Sequence, residues 1–376
     1  MKNPFLFGEV VTGTDFADRK IELTDLARNM KNGERVFLIS PRRYGKTSLI
    51  INLLEGLQKE GIFTAYIDLY KVTSLRQFLE LYASTITRSV ESSVERVVRL
   101  VKDILPGIRP NISVAPDGST SLSIEYVEQE HELWRLQEKV YDIAERLATK
   151  KKRLFVVALD EFQECTQFDG SNVEKSMRAV FQRHKNVAYL FAGSKRHLIY
   201  DMISDKSRAF YKMGRVLNLG KIPRVEFIPF LMKRFHKTGF HIEEGVLDDI
   251  LDITEEYPYN VQFLCHELWD AFLNQKVVRR GDVVPTLERL LTQETPLYAV
   301  IWDGLPLPQR RVLQVIARHG GKNLFSREFL TIHNLGASSS VFTSVKLLRK
   351  KEIIDKEKDF YFITDVFFKE WIKRKM

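Results

Sequence analysis

A segment near the amino end of the chain has the residue types and spacing needed to hold a phosphate group. Ser40-Pro-Arg-Arg-Tyr-Gly-Lys-Thr47 matches the pattern G-x-x-x-x-G-K-[ST], except that Ser40 replaces the first glycine. In such a loop the backbone N–H groups surround phosphate oxygens, and the lysine reaches the β- and γ-phosphates of a nucleotide. The pattern therefore predicts that Gly45 admits the phosphates, that Lys46 binds them, and that the Thr47 hydroxyl binds Mg²⁺. The alternative is a chance Gly-Lys-Thr at the start of an ordinary helix.

Two adjacent carboxylates form the second part of the predicted site. Asp160 and Glu161 follow the apolar run 154–159, which is typical of a buried strand. At the carboxyl end of such a strand, we expect Asp160 to hold Mg²⁺, mostly through water, beside the phosphate loop. Glu161 is expected to be the general base that polarises the water attacking the γ-phosphate, and Lys46 is also expected to take part in catalysis. A solvated Asp-Glu pair is the alternative for these two residues alone, but the loop and the pair together predict nucleotide binding.

The elements that must position these residues alternate between strands and helices. Five apolar runs are predicted strands, at 35–39, 63–69, 154–159, 187–192 and 215–219. Because helical patterns separate them, they predict an α/β fold whose parallel sheet is covered by helices on both faces. The extra strand 63–69, between the two motifs in the chain, and the glutamate after Asp160 resemble the ATPase branch of P-loop NTPases (the AAA+/ASCE type). The sequence has no N-K-x-D segment to read guanine, so ATP is favoured over GTP.

About eighty residues separate the second and third predicted strands, which is too long for one crossover. Two long amphipathic helices are predicted there, at 75–105 and 127–149. Between them, alternating apolar residues flank Ala115-Pro-Asp-Gly-Ser119, which predicts a hairpin with its turn at that segment. We therefore expect an inserted helix–hairpin–helix at about 75–150.

The second half of the chain has a different pattern. Residues 224–304 show four or five helical patterns and predict a helical lid. From residue 306 the predicted order is helix, helix, helix and a two-stranded wing, which is the order of a winged helix-turn-helix. The expected domains are therefore a P-loop core at 1–222, a lid at 223–304 and a winged helix domain at 305–376.

Composition and charge limit the classes of protein that fit. With 44% hydrophobic and 28% charged residues, the 376-residue chain has a globular balance. Its two cysteines and the lack of a signal peptide or long apolar run lead us to expect a soluble cytoplasmic protein. The net charge is +9, and residues 306–376 contain 15 Lys and Arg against 7 Asp and Glu. This concentration indicates a polyanionic partner for the last segment, or a basic surface that is only solvated.

Four segments in a fixed order carry a resemblance to a known family. They are Phe16-Ala-Asp-Arg-Lys-Ile-Glu-Leu23, SPRRYGKTSLI, LFVVALDEFQE and LFAGSKRHLI. Together they resemble the archaeal and bacterial AAA+/STAND-type ATPases related to origin-recognition proteins. The resemblance implies a P-loop core, a lid and a winged helix domain over nearly the whole chain.

The resemblance also implies roles for further residues. Ser194 takes the sensor position that reads the γ-phosphate, with a turn serine as the alternative. Phe16 and Arg19 would pack on adenine, and Pro258 matches a lid proline, although Glu256 stands where the family has glycine. Arg208 and Arg215 are candidates for an arginine finger acting on a neighbouring subunit, with Arg215 preferred. The remaining loop residues expected at the nucleotide are Ser40, Pro41, Arg42, Arg43, Tyr44 and Ser48.

The predicted third helix of the winged domain has a polar side suited to DNA. Its short hydroxyl and basic side chains fit phosphate and base-edge contacts, while Val341, Val345 and Leu348 would face inward. The outward set is Ser338, Ser339, Thr343, Lys346 and Arg349, with Lys356 and Lys358 at the wing tip. Winged helices also dock proteins. The sequence thus predicts a switch protein that binds ATP and hydrolyses it slowly. The alternatives are a nucleotide-gated DNA-binding regulator and a protein-interaction scaffold. The protein partner could also be a second copy of the chain.

Overall fold

The computed structural model describes residues 2–17, 19–91, 93, 96, 109–114, 120–125, 133–168 and 172–376. The chain divides into two compact units. The first is Val10–Lys221, and the second combines Met1–Glu9 with Ile222–Met376. Within the described residues, no helix is long and apolar enough to cross a membrane.

The first unit is built on a five-stranded parallel sheet. Its strands are β1 (Arg35–Ile39), β2 (Phe63–Asp68), β5 (Phe155–Asp160), β6 (Val187–Gly193) and β7 (Arg215–Asn218). Their spatial order is β2-β5-β6-β1-β7, and all neighbours run parallel. Every residue of β5 and β6 is buried, as the unbroken apolar runs predict. In the sheet, β6 separates the phosphate-loop strand β1 from the carboxylate strand β5, whereas β2 lies at the sheet edge.

Helices cover both faces of this sheet. The helices are α1 (Lys20–Lys31), α2 (Lys46–Lys59), α3 (Leu75–Arg88), α4 (Leu133–Tyr141), α5 (Ile143–Lys151), α6 (Asn172–Phe181) and α7 (Arg196–Ser204). Alternate residues of β1 enter different cores. Phe37 packs with residues of α3, α5 and α6, whereas Leu38 packs with residues of α1 and α2. The period-two geometry of a strand thus gives the sheet two apolar layers.

The inserted segment agrees with the predicted elements where the structure describes it. β3 (Arg109–Val114) pairs antiparallel with β4 (Thr120–Glu125), so the predicted hairpin strands are present. The hairpin tip at 115–119 lies outside the described residues. Helix α3 ends at Arg88, and most of its predicted extension to 105 also lies outside them. The second predicted helix is divided into α4 and α5 at Asp142.

The second unit contains a helical part and a winged part. The helical part has α8 (Arg224–Lys237), α9 (Val246–Ile253), α10 (Pro258–Ala271), α11 (Arg280–Asp303) and two short parallel strands, β8 (His241–Ile242) and β9 (Val277–Val278). The winged part has α12 (Leu307–His319), β10 (Gly321–Lys322), α13 (Arg327–Ile332), α14 (Ser338–Lys350), β11 (Ile354–Glu357), β12 (Phe360–Ile363) and α15 (Val366–Lys375). Val341, Val345 and Leu348 are buried, as predicted. The sequence interpretation did not include β10 or α15.

Two features of the second unit differ from the expected division into domains. The amino-terminal residues pack here, because Phe5 is fully buried against Phe235, with ring centroids 4.4 Å apart. Helix α11 also continues into contact with the winged part, since the Trp371 indole donates to Thr295 at 3.1 Å. The lid and the winged domain therefore share packing, and a boundary at 304/305 stays a prediction.

Candidate functional site

The phosphate loop runs from the carboxyl end of β1 to the first turn of α2. Gly45 has φ of +80°, a left-handed conformation that favours glycine, and Lys46 is the first helical residue. Ser40 is fully buried; its N–H donates to Gly193 and its hydroxyl to the Pro41 carbonyl at 3.0 Å. A backbone carbonyl of the loop thus accepts the hydrogen bond of the buried Ser40 hydroxyl. The small serine side chain is therefore accommodated where the motif usually has glycine.

Lys46 joins the loop to both predicted carboxylates. Its Nζ contacts Asp160 Oδ1 and lies 3.1 Å from Glu161 Oε1. Lys46 and Asp160 are almost fully buried, at 6% and 2% exposure. The Thr47 hydroxyl donates to Asp160 Oδ2 at 2.9 Å. The structure therefore brings together the phosphate-binding lysine, both predicted Mg²⁺ ligands and the predicted base.

Glu161 is held by donors from two other elements. The Ser194 hydroxyl at the end of β6 donates to Glu161 Oε2 at 2.7 Å, and Gln163 Nε2 donates to the same oxygen at 2.6 Å. Burial alone raises the pKa of Glu161, but the charge of Lys46 and the hydrogen bonds from Gln163 and Ser194 outweigh it. The net pKa lies below the usual range. Glu161 is therefore a fixed, ionised carboxylate beside the phosphate loop.

Tyr66 was not predicted to belong to this site. Its hydroxyl donates to Asp160 Oδ2 at 3.0 Å from the neighbouring strand β2. Burial, followed by the charge and hydrogen bond of Asp160, raises the pKa of Tyr66 well above its usual value, so the phenol stays protonated. The only signal in the sequence is a tyrosine three residues before the end of the predicted strand 63–69.

Gln163 was also missed by the sequence interpretation. Its side chain is 1% exposed, and its Oε1 is buried without a hydrogen-bond partner among the described residues. A Cβ built on Gly193 would lie only 2.3 Å from that oxygen. Gly193 therefore leaves the space in which Gln163 reaches Glu161.

A cavity of about 560 Å³ opens beside the phosphate loop in the first unit. The residues that face it include Arg42, Thr47, Tyr66, Asp68, Asp160 and Glu161. A hydroxyl and a carboxylate are oxygen donors of the type that Mg²⁺ prefers, so Thr47 and Asp160 fit the predicted metal. Elsewhere in the described residues, no group of three His, Cys, Asp or Glu could hold a metal ion by itself. Phosphate oxygens and water would have to complete the coordination.

Several predicted residues support the loop without facing the cavity. Arg19 is 1% exposed, and its guanidinium donates to the carbonyls of Tyr44 at 3.0 Å and Gly220 at 2.9 Å. Its side chain therefore braces the phosphate loop, and its packing on adenine stays a prediction. The Ser48 hydroxyl accepts the N–H of Val11 at 3.1 Å and so holds the amino-terminal segment on α2.

The other predicted residues vary in position. Phe16 and Pro41 are half-buried, Tyr44 is buried, and Arg43 is exposed with φ of +68°. Arg215 lies at the amino end of β7, where it donates to Asn29 at 3.2 Å. This is the end opposite the phosphate loop, so Arg215 is outside the site of its own chain, and its role toward another subunit stays a prediction. Arg208 pairs with Glu174. Pro258 begins α10 in the other unit, and its role also stays a prediction.

The geometry defines a class of protein. A parallel sheet in which a phosphate loop follows β1, a buried strand ends in Asp-Glu, and β6 lies between them is the P-loop NTPase fold. The winged part gives this chain a C-terminal winged helix domain. Both predicted parts of the fold class are confirmed.

Comparisons with known proteins agree with this class. Residues 44–211 match the model of the KAP family P-loop domain, and residues 296–374 match a model described as a probable winged helix domain. The comparison with curated proteins gave no matching relative.

Solved structures show the same fold at low sequence identity. The Walker-type ATPase PABY2304 of Pyrococcus abyssi has 16% identity and a TM-score of 0.64, covering 98% of this chain and 99% of that one. The ORC2 protein of Aeropyrum pernix, solved as ADPNP–ADP complexes, has 14% identity and a TM-score of 0.53, covering 95% and 94%. Its ADP form gives a TM-score of 0.52 at 14% identity, covering 96% and 95%. The resemblance to origin-recognition-related ATPases is therefore confirmed at the level of the fold.

Proposed function

We propose that this chain is a Mg²⁺-dependent ATPase of the AAA+/STAND type that works as a slow nucleotide switch in the cytoplasm. The observation that carries the proposal is Glu161, an ionised carboxylate fixed by Ser194 and Gln163 next to Lys46. A general base must lie within reach of the water that it polarises, and it must be unprotonated. Glu161 meets the second condition and adjoins the cavity beside the phosphate loop.

The contacts of Lys46 indicate how binding would prepare the base. MgATP would bring negative phosphates to Lys46 and a cation to Thr47 and Asp160, and both changes compete with the Lys46–carboxylate contacts. When Lys46 turns to the phosphates, Glu161 loses a cationic neighbour, and its basicity rises. Ser194 and Gln163 would continue to orient its carboxylate toward the attacking water.

The nucleotide proposal is tested by direct binding. Wild-type protein should bind a fluorescent ATP analogue in Mg²⁺ and should prefer ATP to GTP in competition. Lys46→Ala should lose tight binding because it removes the charge that meets the phosphates. Lys59→Ala, at the exposed carboxyl end of the same helix α2, is the matched control. Unchanged ATP binding by Lys46→Ala would contradict the site.

A nucleotide-gated DNA-binding regulator with little hydrolysis is the second candidate. It is favoured by the hydrogen bonds and ion pair that already occupy Glu161, since each of them lowers the basicity needed for catalysis. In this reading the winged domain binds duplex DNA in response to nucleotide. A DNA affinity that differs between the ADP and ATP-analogue states, with hydrolysis no faster than that of Glu161→Gln, would favour the regulator over the ATPase.

A further inference from the structure

A small basic cleft opens on the winged domain, between α12 and the turn that joins α13 to α14. Its volume is about 270 Å³. Its lining, here called the basic cleft, includes Arg311, Gln314, Arg318, His319, His333 and Asn334. None of the residues that line it is Asp or Glu. The cleft therefore presents two permanent cations and two imidazoles around one space.

The two cleft arginines have no anionic partner within the described protein. Arg311 and Arg318 are exposed and make no ion pair with another described residue. Other basic residues of the second unit do have partners: Lys369 contacts Glu255 at 2.5 Å, and Arg374 contacts Glu288 at 3.2 Å. The charge at the cleft is thus available to an external anion.

The imidazoles make the same space unfavourable for further positive charge. The rings of His319 and His333 are adjacent and tilted, with centroids 4.4 Å apart and planes at 34°. Loss of hydration, followed by the charge of His319, lowers the pKa of His333. An anion bound beside the two imidazoles would offset the electrostatic repulsion between their protonated forms.

The position of the cleft in the fold also suits a phosphate. Residues 333–335 lead directly into α14, whose amino end exposes Ser338 and Ser339. Helix amino ends carry free N–H groups and a partial positive charge. The middle of α14 is different, because Phe342 is 61% exposed and Leu347 is 42% exposed. Anionic contacts therefore fit the start of this helix better than its middle.

We propose that the basic cleft holds a backbone phosphate of duplex DNA, so that the duplex docks on the α12 side of the winged domain. This inference rests on the DNA-binding part of the proposed function and is independent of ATP hydrolysis. In the proposed complex, Arg311 and Arg318 bind the phosphodiester oxygens, and the start of α14 lies beside the same DNA strand.

The test compares two double variants of the full chain with equal changes in charge. Arg311→Gln with Arg318→Gln removes the cleft arginines, and Lys350→Gln with Lys351→Gln removes two exposed lysines at the carboxyl end of α14. Binding of a labelled duplex is measured by fluorescence anisotropy over a range of salt concentrations. Each lost phosphate contact lowers the slope of log K against log[salt] by about 0.9. Because one phosphate leaves the cleft, the cleft variant should lose a slope of about 0.9, and the α14 variant should keep the wild-type slope.

A second measurement distinguishes the source of the phosphate. The imidazole NMR signals of His319 and His333 are followed while duplex DNA or inorganic phosphate is added. We expect duplex to shift both signals at concentrations where inorganic phosphate does not. Equal loss of slope in both double variants, a wild-type protein that binds no duplex, or signals that respond only to inorganic phosphate would overturn the inference. Mg²⁺-dependent ATP binding, measured on the same samples, checks folding and reports separately on the nucleotide site.

Discussion

Tyr66→Phe tests whether the metal side of the site is built as the structure indicates. The substitution removes only the hydroxyl that donates to Asp160 Oδ2 at 3.0 Å, and the ring keeps its volume on β2. Asp160 retains its contacts with Lys46, Thr47 and the N–H of Glu161. The carboxylate should remain in place but be less well oriented toward a cation.

The size of the effect follows from the kind of bond that is lost. Hydrogen bonds to charged groups are worth about 1.5–3 kcal/mol, and residues that orient metal ligands change metal affinity by about 10–100-fold. Because the N–H of Glu161 still donates to Asp160 when Lys46 and Thr47 turn to MgATP, we expect the lower end, roughly a tenfold rise in the Mg²⁺ concentration at half-saturation.

The assay is binding of a fluorescent ATP analogue titrated with Mg²⁺ and repeated in chelator. Tyr70→Phe is the matched control, because Tyr70 faces the same cavity but is 67% exposed. Binding in chelator should be equal in all three proteins. A Tyr66→Phe titration that coincides with wild type would refute the assignment of Asp160 and Tyr66 to the metal side.

Three further predictions concern other contacts. Gly193→Ala should displace Gln163 from Glu161, because the new Cβ would lie 2.3 Å from Gln163 Oε1. Steady-state assays should show a lower kcat with nearly unchanged MgATP affinity. An unchanged kcat would contradict the role of Gln163 in orienting Glu161. The hydrogen bond from His184 lowers the pKa of Asp142 to about 2, so Asp142→Asn should cost about 1 kcal/mol of unfolding free energy at pH 7 after allowance for solvent screening. The pKa of Asp142 is lowered from 3.8 in the folded state, so its contribution is lost as the carboxylate becomes protonated. The difference in unfolding free energy between variant and wild type, measured by chemical denaturation, should therefore disappear as the pH falls from about 4 through 2. A difference that stays constant with pH would argue against this contribution of Asp142. Removal of residues 306–376 should leave ATP binding intact but expose Tyr298 and Trp302, which pack on Trp371. The exposed apolar surface should increase the binding of a hydrophobic dye. A truncated chain that stays monomeric and shows no increase in dye binding would favour the domain boundary at 304/305.

The parts of the site that the sequence predicts are those encoded by adjacent residues. Lys46 and Thr47 come from one loop, and Asp160 and Glu161 come from one strand end, so their positions follow from local pattern. Tyr66 could not be found in this way. Its contact with Asp160 depends on the parallel register of β2 and β5, which pairs Asp68 with Asp160.

The order of the strands in the sheet likewise depends on hydrogen bonds between distant parts of the chain. Chain order places 63–69 between the two motifs, but hydrogen bonding places β6 there. The contacts of Arg19 also depend on the tertiary fold. A charged residue before a helix is typical of a surface position, whereas its guanidinium here is buried against two carbonyls brought together only by the folded sheet.

Glu161→Gln tests directly whether Glu161 is the general base for ATP hydrolysis. The substitution keeps the size of the side chain and removes the base, whose contribution to the rate is typically about 10²–10⁴-fold. The measurement is single-turnover hydrolysis of MgATP, with affinity determined on the same protein. We expect near wild-type affinity and a rate reduced by at least about 10²-fold. Hydrolysis at the wild-type rate would contradict the role of Glu161 as the base and would favour the nucleotide-gated regulator.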